Sequence, residues 1–372
     1  MKPRICWITA TYMLQVDFPI LPQINKIFDI DWYVEGKKDS RSIEVAEKYA
    51  KDNNIKVNVI SNKRHSFHPF SFFEYLRNIK RIRQNNYDLY YLDISLFPWL
   101  YWAIKLCLPS QKIVVAMHHG KIHSGMRFKF AYRPFLKLLN RESFNLQYFS
   151  KTQAESFKGK DIKRKFVIPL ALNDFGMSNV KPPKDKVVFT TFGNIMETKN
   201  IQLLIAAANK LYELYPGKFI VKIVGHCKSW KAKYSSLIKY PQAFELDIRR
   251  IEESEIPKLF GETHYLVLPY KAVTQSGPLR IAYGYNVPVI ASNLDGFRES
   301  VENGITGILF ESESIQSLVN VMKNAVEFHP KVYIDLKKTQ KNYVDANLSV
   351  DSICTQYVNM LERINNEFKE IN

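Results

Sequence analysis

The second half of the sequence carries a stretch whose residue types could hold a phosphate group. Residues 190–200, TTFGNIMETKN, have the pattern of a strand that runs into a loop and then a helix. Gly193, at the end of the strand, would let the backbone approach a ligand closely. Lys199, where the helix starts, could contact phosphate together with the free N–H groups of that helix. An ordinary turn with a solvated lysine has the same pattern, so this stretch needs support from elsewhere in the chain.

A second stretch, 268–290, predicts a helix whose positive end could bind an anion. Ser276 is a favourable N-cap residue, and Pro278 fits the first helical turn because its missing N–H does no harm there. The exposed amides at the start of such a helix attract negative charge. The alternative is a capped helix without a ligand.

Further polar side chains follow other predicted strands. Glu299 lies in the stretch 291–300, where its carboxylate could accept hydrogen bonds from sugar hydroxyls or could cap a helix. His118 and His119 follow the predicted strand 113–117, and one of them could form a hydrogen bond to a ligand or act in catalysis. Both could equally be structural. No metal site is predicted, because nearby carboxylates are few, HExxH is absent and the four cysteines form no CxxC pair.

Short β-rich runs alternate with helical patterns along the chain, which is typical of α/β domains with parallel sheets. The predicted strands are 4–9, 29–34, 56–60, 89–93, 113–117 and 166–168, then 187–191, 219–224, 265–268, 287–290 and 308–310. The length of 372 residues fits about two domains. We expect an N-terminal domain over 1–172, a linker over 173–186, a C-terminal domain over 187–345 and a final helical segment over 346–372. The predicted fold class is α/β, with two doubly wound, Rossmann-like domains facing a central cleft.

The positive charge of the chain is concentrated in its first half. The net charge is +17, of which residues 1–180 carry +14 and residues 181–372 carry +3. Basic residues lie among aromatic ones at Arg77, Lys80, Arg81 and Arg83, and again at Arg127 and Lys129. This mixture suits an anionic membrane surface, where each cation contributes about 1 kcal/mol. Nucleic acid is not the expected partner, because no DNA- or RNA-binding module accompanies the charge.

A solvated helix is the other explanation of the first basic group. A helix over 72–83 could face its core with Phe72, Leu76 and Ile79 and leave its basic side in water. The sequence also has no run of 18 to 20 apolar residues and no secretory leader at its start, and its few cysteines favour a reducing compartment. We therefore expect a cytoplasmic protein, peripheral on the inner face of the plasma membrane.

Taken together, the second-half motifs resemble the group 1 retaining glycosyltransferases of the GT-B fold. The resemblance rests on the order and spacing of TTFGNIMETKN, IVGHCKSW, ESEIPKLF, VLPY, QSGPLRIAYGYNVPVIASNLDGFRES and NGITGILF. It implies that Gly193 and Lys199 contact the donor diphosphate. It further implies that Gln275, Ser276 and Gly277 line the phosphate and sugar, that His119 or else His118 lies near the transferred sugar, and that the final helix crosses back to the first domain.

The chain also departs from the pattern of that family. The family usually has two glutamates eight residues apart, and Val273 and Ile281 stand at those places. Asn194, in the donor-binding stretch, occupies the place of an arginine that often precedes the diphosphate lysine. Binding of a sugar nucleotide must therefore depend on Lys199, backbone amides and hydroxyl groups.

The predicted function is transfer of a sugar from a nucleoside-diphosphate sugar to a glycan or lipid-linked acceptor. The resemblance implies retention at the anomeric carbon and a role in bacterial-type surface polysaccharide, such as capsule, O-antigen or lipopolysaccharide. We expect neither a metal nor another cofactor, because Lys199 and the helix amides could hold the departing diphosphate. The alternative is a degenerate relative that binds a nucleotide or glycan without transfer.

Overall fold

The structure is a computed structural model that describes residues 2–61, 68–94, 98–118, 139, 144–157, 164–273 and 276–371. The chain forms two compact units, which are Met1–Ala171 with Leu348–Asn372, and Leu172–Asn347. Residues 168–183, which include most of the predicted linker, contain neither helix nor strand.

The first unit is built on a sheet of seven parallel strands. They are β1 (Arg4–Ala10), β2 (Asp29–Glu35), β3 (Lys56–Ile60), β4 (Leu89–Asp93), β5 (Ile113–Met117), β6 (Asn145–Tyr148) and β7 (Lys165–Val167). Their order in the sheet is β3-β2-β1-β4-β5-β6-β7. The direction of winding reverses between β1 and β4, and ligands of such sheets bind beside the carboxyl ends of the strands at that point.

Helices connect these strands and cover both faces of the sheet. They are α1 (Leu14–Asp17), α2 (Leu21–Ile27), α3 (Arg41–Asp52), α4 (Ser71–Arg83), α5 (Pro98–Cys107) and α6 (Lys151–Ser156). The central strand β1 is apolar on both sides as a result, with Trp7 in one core cluster and Ile8 in the other. Trp7 stacks on Tyr91 of β4 with ring centroids 3.8 Å apart, which fixes the two central strands against each other.

The second unit repeats this plan with six parallel strands. They are β8 (Val187–Phe192), β9 (Phe219–Val224), β10 (Phe244–Asp247), β11 (Tyr265–Leu268), β12 (Val289–Ser292) and β13 (Gly307–Phe310), in the order β10-β9-β8-β11-β12-β13. Its helices are α7 (Ile201–Leu214), α8 (Trp230–Lys233), α9 (Ile256–Gly261), α10 (Gly277–Gly284), α11 (Asp295–Arg298), α12 (Ile315–Glu327) and α13 (Lys331–Asn347). The winding reverses between β8 and β11, so the loops after these two strands are the expected ligand site.

The last helix, α14 (Val350–Ile371), belongs to the first unit. Ile353, Tyr357, Leu361 and Ile364 repeat at helical spacing and are buried in the same core cluster as Trp7. Burial of this apolar stripe is what attaches the C-terminus to the N-terminal sheet.

Two strands are absent from the sequence prediction, and one is displaced. β6 has the sequence NLQY, and its buried Asn145 donates to the carbonyls of Gln111 and Ile113 at 2.9 and 3.1 Å. β10 is an edge strand with the polar sequence FELD. Both lack the apolar run that marks a buried strand. β12 begins at Val289 rather than at 287.

The core face of α4 also differs from the prediction. Tyr75, Ile79 and Ile82 are buried, whereas Phe72 and Leu76 are only partly buried. The helix is therefore rotated relative to the predicted face, because the Tyr75 hydroxyl donates to Glu35 at 2.7 Å inside the unit. In the part of the chain that the structure describes, no helix is both long and apolar enough to span a bilayer.

Candidate functional site

Two glycines lie against each other at the carboxyl edge of the second sheet. Gly193, after β8, has φ +104°, and Gly225, after β9, has φ +143°. A Cβ atom on Gly225 would lie 2.0 Å from the carbonyl oxygen of Gly193, and one on Gly193 would lie 2.9 Å from Nζ of Lys199. Neither position can carry a side chain without displacing its neighbour. The backbone where the two strands end is consequently not covered by a side chain of residue 193 or 225, and we call this stretch the bare backbone.

Lys199 is a partly buried cation beside this bare backbone. Its Nζ donates to the carbonyl oxygen of Phe192 at 3.3 Å and lies 5.2 Å from the centroid of the Tyr270 ring. Burial lowers the pKa of Lys199 to about 8. Among the residues described, Lys199 forms no ion pair with a carboxylate. An ammonium group held in this way is complementary to an anionic ligand.

The start of α10 lies at the same place. Pro278, in its first turn, is 3.5 Å from the position that a Cβ of Gly193 would take. Ser276 caps the helix, with its Oγ accepting from the backbone N–H of Leu279 at 3.3 Å. Gly277 is exposed, and a Cβ built on it would meet no atom within 4 Å. The start of this helix is therefore open to solvent beside Gly193.

Two contacts fix the loop after β11 to the loop after β8. The backbone N–H of Lys271 donates to the carbonyl of Thr198 at 2.8 Å, and the Tyr270 ring lies under the Lys199 ammonium. Burial raises the pKa of Tyr270 to about 12, so its hydroxyl stays protonated at neutral pH. The glycine pair, the lysine and the helix amides thus form one cationic site at the point where the winding reverses.

The other predicted donor residues are Asn194, Gln275 and Glu299. Asn194 is exposed next to Gly193, and Gln275 lies outside the described residues. Glu299 is half-buried just after the one-turn helix α11. The first turn of α11 packs on the loop before Ser276, since a Cβ on Gly296 would lie 2.7 Å from the carbonyl oxygen of Val273.

Of the two predicted histidines of the first unit, His118 is the one that lies within the described residues. It follows β5, and its Nε2 lies 2.7 Å from Oδ1 of Asp93, the last residue of β4. Its ring packs on Phe149 with centroids 4.5 Å apart. Asp93 is fully buried, while about 10% of the His118 side chain stays exposed. His119 lies outside the described residues.

A second buried carboxylate lies close to this pair. Asp17, which ends α1, accepts hydrogen bonds from Nε1 of Trp7 at 3.0 Å and from the hydroxyl of Thr9. Burial, with a smaller contribution from the negative charge of Asp93, raises the pKa of Asp17 well above its usual range. No group of three or more histidine, cysteine, aspartate or glutamate side chains that could hold a metal occurs within the described ranges.

Sequence reasoning missed four of these residues: Asp17, Asp93, Gly225 and Tyr270. Gly225 carried a usable signal, since it follows a predicted strand as Gly193 does. Tyr270 lies in the VLPY motif, but its contact with Lys199 had no signal, and Asp93 had none, because their partners are distant along the chain and come together only through strand order.

The basic side of α4 is exposed, as a membrane-facing helix requires. Arg77, Lys80, Arg81 and Arg83 all lie in solvent, and Phe73 beside them is 61% exposed. Trp102 and Leu106 of the neighbouring α5 are 43% and 62% exposed. Arg127 and Lys129 lie outside the described residues. We call the four cations with Phe73, Trp102 and Leu106 the α4–α5 surface.

Comparison with known proteins gives one family and several similar folds. Residues 186–327 match the family model described as glycosyl transferases group 1. The chain is similar in fold to a glycosyltransferase from Rickettsia africae, with a TM-score of 0.76, 15% identity and 98% of each chain covered. No curated protein sequence matches the chain.

Two further solved structures are similar over nearly the whole chain. Anabaena HepE in complex with UDP and glucose has a TM-score of 0.72 and 16% identity, with 97% of this chain and 100% of that one covered. The lipopolysaccharide outer core galactosyltransferase WaaB has a TM-score of 0.68 and 13% identity, with 97% and 99% covered. These similarities confirm the predicted α/β fold of GT-B type, and the family match confirms the predicted resemblance.

Proposed function

We propose that the enzyme transfers a hexose from a UDP-sugar to a surface glycan under construction. The premise is that residues 186–327 form the group 1 domain of a nucleotide-sugar-dependent glycosyltransferase. The observation that carries the proposal is the half-buried ammonium of Lys199. It lies beside bare backbone and an open helix start, and no described carboxylate pairs with it.

The site suits the main chemical task of the reaction, which is to hold the departing diphosphate. Negative charge grows on the leaving phosphate as the bond to the sugar breaks. Lys199 and the amides of Ser276 and Gly277 are in position before the reaction, so they need little reorganisation to stabilise that charge. We propose that transfer occurs without a metal and with retention at the anomeric carbon.

The remaining site residues take roles around the diphosphate. The predicted Gly193 and Asn194, together with Gly225, would supply backbone and amide contacts, and Gln275 would contact phosphate or sugar. Glu299 would accept hydrogen bonds from sugar hydroxyls. His119, or else His118 at the carboxyl edge of the first sheet, would contact the transferred sugar.

The choice of donor and pathway is supported by the similar structures. HepE binds UDP and glucose, and WaaB is a galactosyltransferase of the lipopolysaccharide outer core. We extend both properties to this chain as proposals. A UDP-hexose is the proposed donor, and a glycan or lipid-linked saccharide is the proposed acceptor.

We further propose that the enzyme works on the inner face of the plasma membrane through the α4–α5 surface. Exposed aromatic and apolar side chains among cations suit an anionic headgroup layer. Each cation near such a layer is worth about 1 kcal/mol, so neutralising all four on α4 should reduce vesicle binding by about three orders of magnitude.

The vesicle experiment compares two sets of four substitutions. The test variant replaces Arg77, Lys80, Arg81 and Arg83 by glutamine, and the matched control replaces four exposed lysines of the second unit, Lys210, Lys231, Lys233 and Lys239. Sedimentation with vesicles containing phosphatidylglycerol should fail for the first variant alone. Equal retention of both variants would contradict the membrane proposal and leave the transferase proposal intact.

The transferase proposal is tested by a thermal-shift screen followed by a turnover assay. A panel of sugar nucleotides and nucleoside diphosphates should include one that raises the melting temperature, since a ligand of the folded state stabilises it. Lys199→Gln should reduce the shift and abolish release of nucleoside diphosphate, whereas Lys210→Gln, an equal loss of charge at an exposed position of α7, should change neither. A shift without sugar release or transfer would favour the degenerate binder.

A further inference from the structure

We propose that Asp93 is a positioning residue for the transfer reaction, which fixes His118 with Nε2–H toward the carboxylate and leaves Nδ1 as a hydrogen-bond acceptor for a substrate hydroxyl. The proposal deepens the proposed function and rests on it for the identity of the substrate. It adds a residue and a role that the motifs of the sequence do not contain.

The geometry of the pair supports a fixed imidazole. Nε2 of His118 lies 2.7 Å from Oδ1 of Asp93, which is a short, charge-assisted distance. Phe149 packs on the ring with centroids 4.5 Å apart and restricts its rotation. The nitrogen that carries the proton in a neutral histidine is set by the hydrogen bond that the ring makes. We assign Nε2 as the donor, because a carboxylate oxygen is the better acceptor of the two.

The position of the pair points to a ligand rather than to the core. Asp93 and His118 end β4 and follow β5, which are adjacent parallel strands, so both lie at the carboxyl edge of the sheet. Asp93 is fully buried, whereas about a tenth of the His118 side chain reaches solvent. Asp93 therefore binds the imidazole on its buried side, and part of the His118 side chain is exposed at the edge of the sheet where ligands bind.

Burial of the Asp93 carboxylate costs free energy, because one of its oxygen atoms has no described hydrogen-bond partner. Its Oδ2 and the Oδ1 of Asp17 are buried without a hydrogen-bond partner in the described part of the chain. Leaving such an atom unpaired costs free energy, and more so for a charged group. Burial and the nearby charge of Asp93 raise the pKa of Asp17, so Asp17 can remain protonated and avoid a second buried charge. An unfavourable arrangement of this kind is typical of a functional position.

The test compares two buried carboxylates at the same edge of the sheet. Asp93→Asn keeps the shape of the side chain, but an amide can present either oxygen or N–H and no longer fixes the ring. Glu35→Gln is the matched control, because Glu35 is also buried, ends β2 and binds the Tyr75 hydroxyl at 2.7 Å without touching a histidine. Both proteins are labelled with ¹⁵N-histidine, and His118→Gln identifies the signals of His118.

Two readouts decide the proposal. In the wild type and in Glu35→Gln, His118 should show the Nε2–H tautomer alone, and in Asp93→Asn it should show a mixture of tautomers. With the donor found by the thermal-shift screen, Asp93→Asn should lower kcat about tenfold or more and leave the KM for the donor nearly unchanged.

An unchanged tautomer in Asp93→Asn would overturn the proposal even if the enzyme turned over no donor, so its failure is separate from that of the proposed function. An altered tautomer with wild-type kcat would also overturn it. If Asp93→Asn fails to fold, His118→Gln serves instead, since its amide can still donate to Asp93 but offers no ring nitrogen. Normal kcat in that variant would exclude the role of Nδ1.

Discussion

The lowered pKa of Lys199 makes the binding of a nucleoside diphosphate depend on pH in a predictable way. Burial brings this pKa to about 8 in the free protein, whereas a solvated lysine titrates at 10.5. A bound diphosphate favours the ammonium form and therefore raises the pKa again. The affinity should be highest below pH 8 and should fall as the pH rises through 8, because the neutral amine must first take up a proton.

The size of the effect follows from the same value. If only the ammonium form binds, the apparent Kd is doubled at about pH 8 and is about elevenfold weaker at pH 9 than at pH 6. A lysine with the ordinary pKa would change the Kd at pH 9 by only about 3%. The contrast between the two cases is large enough to measure in a single titration series.

The assay is calorimetric titration of the nucleoside diphosphate identified by thermal shift, at pH 7, 8 and 9 and constant ionic strength. Lys199→Gln removes the titrating group and should weaken binding about 10- to 100-fold at pH 7. The pH series of Lys199→Gln reports the titration of every other group, including the ligand. The ratio of the wild-type Kd to the variant Kd at each pH therefore isolates the titration of Lys199. Lys199→Arg keeps its charge throughout this range and should bind with no decline between pH 7 and 9.

A ratio that stays constant from pH 7 to 9 would refute the reasoning, because it would mean that the ammonium of Lys199 does not contact the diphosphate or is not buried in solution. A decline that Lys199→Arg shares with the wild type would do the same, since another group would then be titrating.

Three further predictions test the surroundings of the site and the second unit. Gly193→Ala should reduce nucleotide binding by about tenfold or more, because its Cβ would displace Lys199. The control Gly217→Ala is also at positive φ, but its Cβ would meet no atom within 4 Å, so the affinity measured by calorimetric titration should not change. Ser276→Ala and Ser314→Ala each remove an N-cap and should lower unfolding stability by about 1 kcal/mol, but only the first should weaken nucleotide binding. The pKa of buried His264, which accepts from the N–H of Val188, is lowered to about 4, so its contribution to stability is lost as the pH falls from 6.5 toward 4. Amides of β8 should therefore be about 2 kcal/mol less protected from hydrogen exchange at pH 5 than at pH 7, and His264→Asn should remove that difference.

Local signals account for what the sequence predicted well. The strand, glycine, loop and lysine of residues 190–200 are neighbours along the chain, and so are the cap and first turn of α10, so their placement needed no knowledge of strand order. The alternation of apolar runs and helices was also sufficient to predict two parallel sheets.

Features that depend on distant partners were not predictable. Tyr270 reaches Lys199 only because β11 lies beside β8, and Asp93 reaches His118 only because β4 lies beside β5. The core face of α4 was predicted in part, since Ile79 is buried and Phe72 and Leu76 pack on the same core cluster. Tyr75 was missed, although it repeats with Ile79 and Ile82 at helical spacing, because its buried hydroxyl needs the partner that Glu35 on β2 provides.

The lowered pKa of Lys199 and the lack of a described carboxylate beside it have a common physical explanation. Val273 and Ile281 stand where the resemblance leads one to expect glutamates. A carboxylate close to a lysine favours the ammonium and raises its pKa, whereas burial alone lowers it, and burial is the cause of the shift at Lys199. Under the proposed function, the charge of Lys199 stays unneutralised until a ligand arrives, and the cost of burying that charge in the free protein is recovered when a diphosphate binds.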